Sequence, residues 1–187
     1  MENLQLKVGR PESEIGRPEK EIRCYNLLQN LGIDFARVDH AAAETMEMCQ
    51  SIETVLGAKI CKNLFLCNRQ ETDFYLLMLP DIPFKTKYLS AELNISRLSF
   101  ASSEYMQKFL DVTPGSVSVL GLMNDEELKV RLIIEKSLLN DEFIGCHPCI
   151  NTSSLKIKTD DIINKIIPAT NHTVTYVDLA SKIENEQ

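Results

Sequence analysis

The chain has 187 residues, 44% of them hydrophobic and 25% charged, with a formal net charge of -7. That is the composition of an ordinary globular protein, long enough for one sizeable domain whose core needs no staple. No apolar run is long enough to cross a bilayer, and the N-terminus lacks the basic-then-apolar order of a signal peptide, so the expected location is the cytoplasm, with no membrane partner. There the six cysteines, Cys24, Cys49, Cys61, Cys67, Cys146 and Cys149, are expected as thiols, mostly buried and inert. The acidic balance argues against nonspecific coating of nucleic acid. It leaves room for a local basic face built from residues such as Lys59, Lys85, Lys87 and Arg97.

In chain order, residues 9–15 (GRPESEI) and 16–22 (GRPEKEI) form a near-perfect heptad duplication. Two copies are too few for a repeat architecture, so residues 1–17 read as a polar N-terminal arm and residues 18–187 as a single domain. Pro18 suits the first turn of a helix, and Glu19 and Glu21 suit its positive end. Ile22, Tyr25, Leu28 and Leu31 then recur at helical spacing until Gly32. A short strand follows at 33–40. The next helix runs from Thr45, a capping residue, to Leu56, with Gly57 ending it. Strands are expected at 60–67 and 73–79, short helices at 89–95 and 102–110 with Ser102 or Ser103 as cap, and a turn at 113–116. A strand at 130–135, a loop at 146–154 and a strand at 155–158 come next. Thr159 caps a helix at 160–167, and a strand at 173–179 closes the chain. Irregular alternation of short strands and helices predicts an α+β fold around a mixed, mostly antiparallel sheet with flanking helices.

Several residues invite a chemical reading. Cys146-His147-Pro148-Cys149 could be a redox pair or half a zinc site, but a redox CxxC belongs between an early strand and its helix, and Cys61 and Cys67 are spaced poorly as further ligands. His147, in a turn before proline, reads either as a satisfied loop histidine, the commoner case, or as a group aimed into a cleft. His40 ends a strand and could line a pocket. Lys62 shares a strand face with Ile60, Leu64 and Leu66, which calls for a partner or a task unless its stem simply carries the amine to water. The turn Thr113-Pro114-Gly115-Ser116 offers backbone N–H groups near a glycine, where a substrate can come close. No phosphate loop, HExxH, catalytic triad or carboxylate pair is legible.

Taken together, CKNLFL (61–66), RLSFAS (97–102), PGSVS (114–118), GLMND (121–125) and HPCINTSSLKI (147–157) resemble the YbaK-type editing domains. These are related to the insertion domain of bacterial prolyl-tRNA synthetase and to its free-standing counterparts. The resemblance spans about residues 20–180, and its details are those of the stand-alone branch that clears Ala-tRNA(Pro). It implies a trans-editing hydrolase acting on aminoacylated tRNA, with tRNA(Pro) as the expected partner, prolyl-tRNA synthetase as a candidate one, and no cofactor or metal. By matching position, Lys62, Gly115 and His147 carry catalysis, and Ser116, Asn151 and His40 contact the substrate. One departure is Val119, where the family's Gly-x-x-x-Pro loop has proline; another is Cys149, where an aliphatic residue is expected.

The implied chemistry needs no protein nucleophile. An aminoacyl ester is already activated, so a positioned water and oxyanion stabilisation suffice, with the 2′-hydroxyl of the terminal adenosine orienting that water. In this scheme Lys62 holds the 3′ end, backbone N–H groups around Gly115 meet the ester, and His147 fixes the ribose or the aminoacyl group. Rival readings are a Cys-tRNA(Pro) or other small-residue deacylase, a non-catalytic tRNA-binding module, and the thiol or zinc protein.

Overall fold

The computed structural model describes residues 4–42 and 45–184, so the outer ends of the expected arm and domain (1–3 and 185–187) lie outside the described residues. In chain order the elements are β1 (Leu6–Val8), α1 (Glu19–Asn30), β2 (Phe35–Asp39), α2 (Met46–Leu56), β3 (Lys62–Cys67) and β4 (Phe74–Leu79). Then come α3 (Thr86–Glu92), β5 (Ser99–Phe100), α4 (Ser103–Leu110), β6 (Val130–Glu135), β7 (Phe143–Cys146) and β8 (Ser153–Lys158). The chain closes with α5 (Thr159–Asp161), α6 (Ile167–Ala169), β9 (Val174–Val177) and α7 (Ala180–Glu184). The fold is α+β and mostly antiparallel, but the strands make two sheets where one was expected. The first, ordered β1-β2-β8-β7, is antiparallel throughout. In the second, ordered β5-β3-β4-β6-β9, β3 is antiparallel to β4 and β5, while β4–β6 and β6–β9 are parallel.

Side-chain alternation explains the layering. Phe74, Leu76 and Met78 of β4 join the main core between the sheets, with α1 and α4 packed on it. Tyr75, Leu77 and Leu79 point the other way, into a smaller core under α3 with Leu66, Leu89 and Ile133. All six residues of β4 are therefore buried, and each face has its own cover.

The local signals that bracket α2 hold. Thr45 accepts from Met48 N at 3.2 Å, and Gly57 adopts a left-handed φ of 66° at the end of α2. The helix expected at 89–95 begins earlier, at Thr86, because Ser90 turns its hydroxyl back to Thr86 O (2.9 Å). Thr159 donates to Asp141 O at 2.5 Å instead of capping. The last helix then widens into a π-turn over Ile162–Ile166. Pro168, which has no N–H to continue the ladder, follows immediately.

The N-terminal heptads join this framework. β1 pairs antiparallel with β2, and each heptad closes the same i,i+4 ion pair, Arg10 with Glu14 and Arg17 with Glu21. Arg10 also reaches Asn26 (2.8 Å) and Gln29 (3.0 Å) on α1, and Arg17 grips Asp39 through both carboxylate oxygens (3.2 and 2.9 Å).

Candidate active site

The two sheets touch where the chain enters β3. Ile60 and Gly145 form a parallel bridge, with Cys61 N bonded to Gly145 O (3.0 Å) and Gly145 N to Lys59 O (2.8 Å). The approach is so close that a Cβ on Gly145 would lie 2.9 Å from Lys59 O and 3.0 Å from Ile60 Cα. Two residues beyond the bridge, in the same direction, stand Lys62 on one segment and His147 on the other. A glycine inside a strand can mark such a crossing, but no strand was expected over 143–146, where β7 lies.

Around His147 three further segments converge. The turn at 113–116 leaves Gly115 at φ +85°, 3.9 Å (measured from an ideal Cβ) from Asn151 Nδ2, so the glycine turn and the His-Pro turn face each other. His40, at the end of β2, is fastened to the same turn by its backbone N to Thr152 O (3.0 Å). Its ring centroid lies 6.4 Å from that of His147. A cleft of about 350 Å³ opens beside His40, walled by Arg17, Asp39, Ile150 and Thr152, which brings the second heptad to the edge of the site.

Donor and acceptor accounting fixes the rings. His147 Nδ1 faces Ser153 O at 3.0 Å, and a carbonyl only accepts, so Nδ1 carries the proton. Burial pushes the His147 pKa below its ordinary value; the Ser153 carbonyl opposes the shift, and the neighbouring His40 ring adds to it. The neutral ring then presents Nε2 as a bare acceptor. His40 Nδ1 donates to Ala41 O (2.8 Å), which leaves its Nε2 to accept from Ser154 Oγ (2.9 Å). The Ser154 oxygen in turn lies 3.5 Å from His147 Nδ1. Ser154 is fully buried on β8, opposite Val38, and ties the two histidines to a rigid strand. Nothing in its sequence context marked it.

The remaining expected residues fall differently. His40 has both ring nitrogens engaged within the fold, with Ala41 O and Ser154 Oγ. Ser116 is wholly buried and closes its own turn, accepting from Thr113 N (3.0 Å) and donating to Thr113 O (2.8 Å). Lys62 stands at the exposed start of β3 and extends on the α3 side. Its amine contacts Asp81 Oδ1 at 2.5 Å and Ile82 O at 3.4 Å, which answers the question of its partner.

The thiol reading loses its physical basis. Cys149 Sγ lies 3.6 Å from Cys24 Sγ on α1, and Cys146 is also fully buried. Burial pushes the Cys24 and Cys146 thiols well above their ordinary range, the reverse of what a nucleophilic thiolate requires. Among the described residues no helix is long and apolar enough to cross a membrane.

The sequence profile of the aminoacyl-tRNA editing domain matches residues 40–165, which include His40, Lys62, Gly115, His147 and Asn151. The chain belongs to the aminoacyl-tRNA editing domain family. As an editing domain it is an aminoacyl-tRNA deacylase, a hydrolase. It is similar to the prolyl-tRNA editing protein ProX of Acetoanaerobium sticklandii, at 30% identity over 153 residues that cover 81% of this chain and 93% of the relative. A Danio rerio relative, prolyl-tRNA synthetase associated domain-containing protein 1, is 27% identical over 148 residues, 78% of this chain and 80% of its own length. A crystal structure described as that of a candidate trans-editing enzyme for prolyl-tRNA synthetase shares the fold, with a TM-score of 0.64 at 13% identity over 86% of this chain and 98% of the other. Both heptads precede the matched stretch, so Arg17 reaches the cleft beside His40 from outside it.

Proposed function

We propose that this editing domain works in trans on tRNA(Pro) and removes alanine from it, with prolyl-tRNA synthetase as the source of the mischarged substrate. The observation that carries the reading is the likeness to the ProX protein across 81% of the chain, together with the approach of the Gly115 turn to Asn151, in the loop that follows His147. The attacking group is a water oriented by the 2′-hydroxyl of the terminal adenosine. His147 Nε2, as acceptor, fixes that hydroxyl, and Asn151 lies beside it. Backbone N–H groups of the Gly115 turn stabilise the oxyanion, a role for which a preorganised loop is suited because it costs no reorganisation during reaction. Lys62 holds the 3′-terminal phosphate after leaving Asp81.

The discrimination is steric. A synthetase pocket built for proline loses only about 1–3 kcal/mol on the smaller alanine, so a second site that admits alanine and excludes the ring corrects the error. Val119 in place of the family proline favours a second reading, removal of cysteine, since the loop it alters borders the site. Deacylation of Ala-, Cys- and Pro-tRNA(Pro) by the wild type and by Lys62→Ala tests both. Lysine-dependent loss of alanine alone is expected; preference for cysteine selects the second reading, and near wild-type activity of Lys62→Ala removes the role of the lysine.

A further inference from the structure

The hydrogens around His147 run in one direction through three side chains, with a backbone carbonyl at each end. At the outer end Ala41 O accepts from His40 Nδ1 (2.8 Å), so His40 Nε2 is bare and takes the Ser154 hydroxyl proton (2.9 Å). That leaves the Ser154 oxygen only lone pairs to offer His147 Nδ1, 3.5 Å away. At the inner end Ser153 O accepts from the same Nδ1 at 3.0 Å. The His147 N–H therefore points between two acceptors on adjacent residues of β8, and the ring gives up one of them if it turns. Reversing the Ser154 hydroxyl would aim two hydrogens at each other, and His40 prevents this by taking the proton. Water does not compete at the serines, which are both fully buried, and His40 is 7% exposed. The charged groups that line the cleft beside His40 are Arg17, Glu21 and Asp39, and they are ion-paired among themselves.

We infer that Ser154, with its proton held by His40, is a positioning residue for deacylation: it keeps His147 Nε2 bare and aimed at the 2′-hydroxyl of the terminal adenosine. This rests on the role proposed above for His147. Ser153 O alone would keep the proton on Nδ1, but a single hydrogen bond leaves the ring free to rotate about it. The second acceptor fixes the plane of the ring, and the bond to His40 fixes the second acceptor. His40 thus acts on the reacting group through one hydroxyl. Rates depend steeply on such placement, since an error of about 1 Å can cost on the order of a hundredfold. The loss belongs in kcat, because in the same reading the 3′ end of the tRNA is held elsewhere, by Lys62.

The test uses Ser154→Ala, Ser154→Thr, His40→Phe and the double variant Ser154→Ala/His40→Phe. Each is read by steady-state deacylation of aminoacyl-tRNA and by proton–nitrogen correlation NMR of the imidazoles, which reports the tautomer. The chain has three histidines, so one further variant, His147→Ala, assigns the signal of interest. For Ser154→Ala we expect kcat lower on the order of tenfold with KM within about twofold, and recovery in Ser154→Thr, which keeps the hydroxyl. His40→Phe keeps the ring but frees the serine proton to turn on His147 Nδ1, so it lowers kcat similarly and shows a mixture of His147 tautomers. The double variant has no hydroxyl left to compete: the mixture disappears, and kcat is no lower than in the worse single variant. The inference is overturned if Ser154→Ala lowers Tm but keeps kcat, if the two single losses multiply in the double variant, or if His147 keeps one tautomer in His40→Phe. That last reading decides alone should the serine variants not fold. Loss of kcat in His147→Ala with none in Ser154→Ala overturns the positioning role and leaves that of His147 standing. Wild-type kcat in His147→Ala removes both.

Discussion

Replacing Gly145 by alanine adds a single methyl at the seam of the two sheets, and the structure fixes what that methyl meets. An ideal Cβ lies 2.9 Å from Ile60 Cγ1, 2.9 Å from Lys59 O and 3.0 Å from Ile60 Cα. Two of these three are backbone atoms, so rotamer change cannot relieve the clash and the segments must separate. Overpacking of this kind costs about 1–3 kcal/mol. Separation also weakens the two hydrogen bonds that flank the bridge, at 2.8 and 3.0 Å, each worth roughly 1 kcal/mol net. A loss of about 3 kcal/mol lowers Tm by about 6–12 °C in a domain of this size, which thermal unfolding followed by circular dichroism reads directly. Deacylation falls as well, since the bridge sets the spacing of Lys62 from His147. Trimming the partner, Ile60→Ala in the Gly145→Ala background, removes one contact of three and restores only a minor part. A Tm within about 1 °C of wild type would refute the reasoning, because the crossing would then be loose enough to admit a side chain.

Two further outcomes follow from the site. Because His147 acts as a neutral acceptor and burial lowers its pKa, kcat/KM should rise from acid pH and level off with a midpoint below about 6.5, the ordinary imidazole value. The same shift makes the unfolded chain the better proton acceptor, so the contribution of His147 to stability is present above that value and is lost as pH falls through the lowered one; a midpoint above it would contradict the assigned tautomer. Asp81 occupies the Lys62 amine at 2.5 Å, so Asp81→Asn should lower KM for aminoacyl-tRNA about two- to fivefold at low salt with kcat unchanged. A raised KM would mean that Asp81 positions the lysine instead of competing with its phosphate.

Most elements were legible because their signals are local. Thr45 and Gly57 bracket α2 through a cap and a left-handed residue, and β3 and β4 follow from apolar runs between polar turns. The division into two sheets was not legible, since β2 pairs with β8 across more than a hundred residues and nothing in either strand names its partner. β1 escaped for a related reason: it is a three-residue edge strand, wholly exposed, with no buried face to leave a periodic trace. In the site, Lys62 stood out as a cation among apolar residues and Gly115 as a turn glycine, both anomalies against their surroundings. Ser154 and Gly145 did not. Serine in a polar loop and glycine in a short strand are commonplace, and only the three-dimensional meeting with His40 and with Ile60 gives them tasks.

The loop from Gly115 to Val119 shows how a departure from the family pattern can be absorbed. A proline at 119 would fix φ and remove one N–H at the start of the turn that follows. Here that turn is a 3-10 helix over Val119–Asn124, and Val119 stands at its first position, where proline would fit. The ordering is supplied from the side instead. Ser118 caps the turn, its hydroxyl accepting from Leu120 N at 3.2 Å and its carbonyl from Gly121 N at 3.0 Å. At the other end Ser116 closes on Thr113. Val119 itself is fully buried in the main core, so its side chain anchors the loop from beneath. Gly121 is held tightly too, with an ideal Cβ only 3.0 Å from Leu110 O, which leaves the helix end no room to drift. Two buried serines, one buried valine and a crowded glycine thus restrain the same backbone that a proline ring would have stiffened. The order of this loop therefore does not depend on the proline ring.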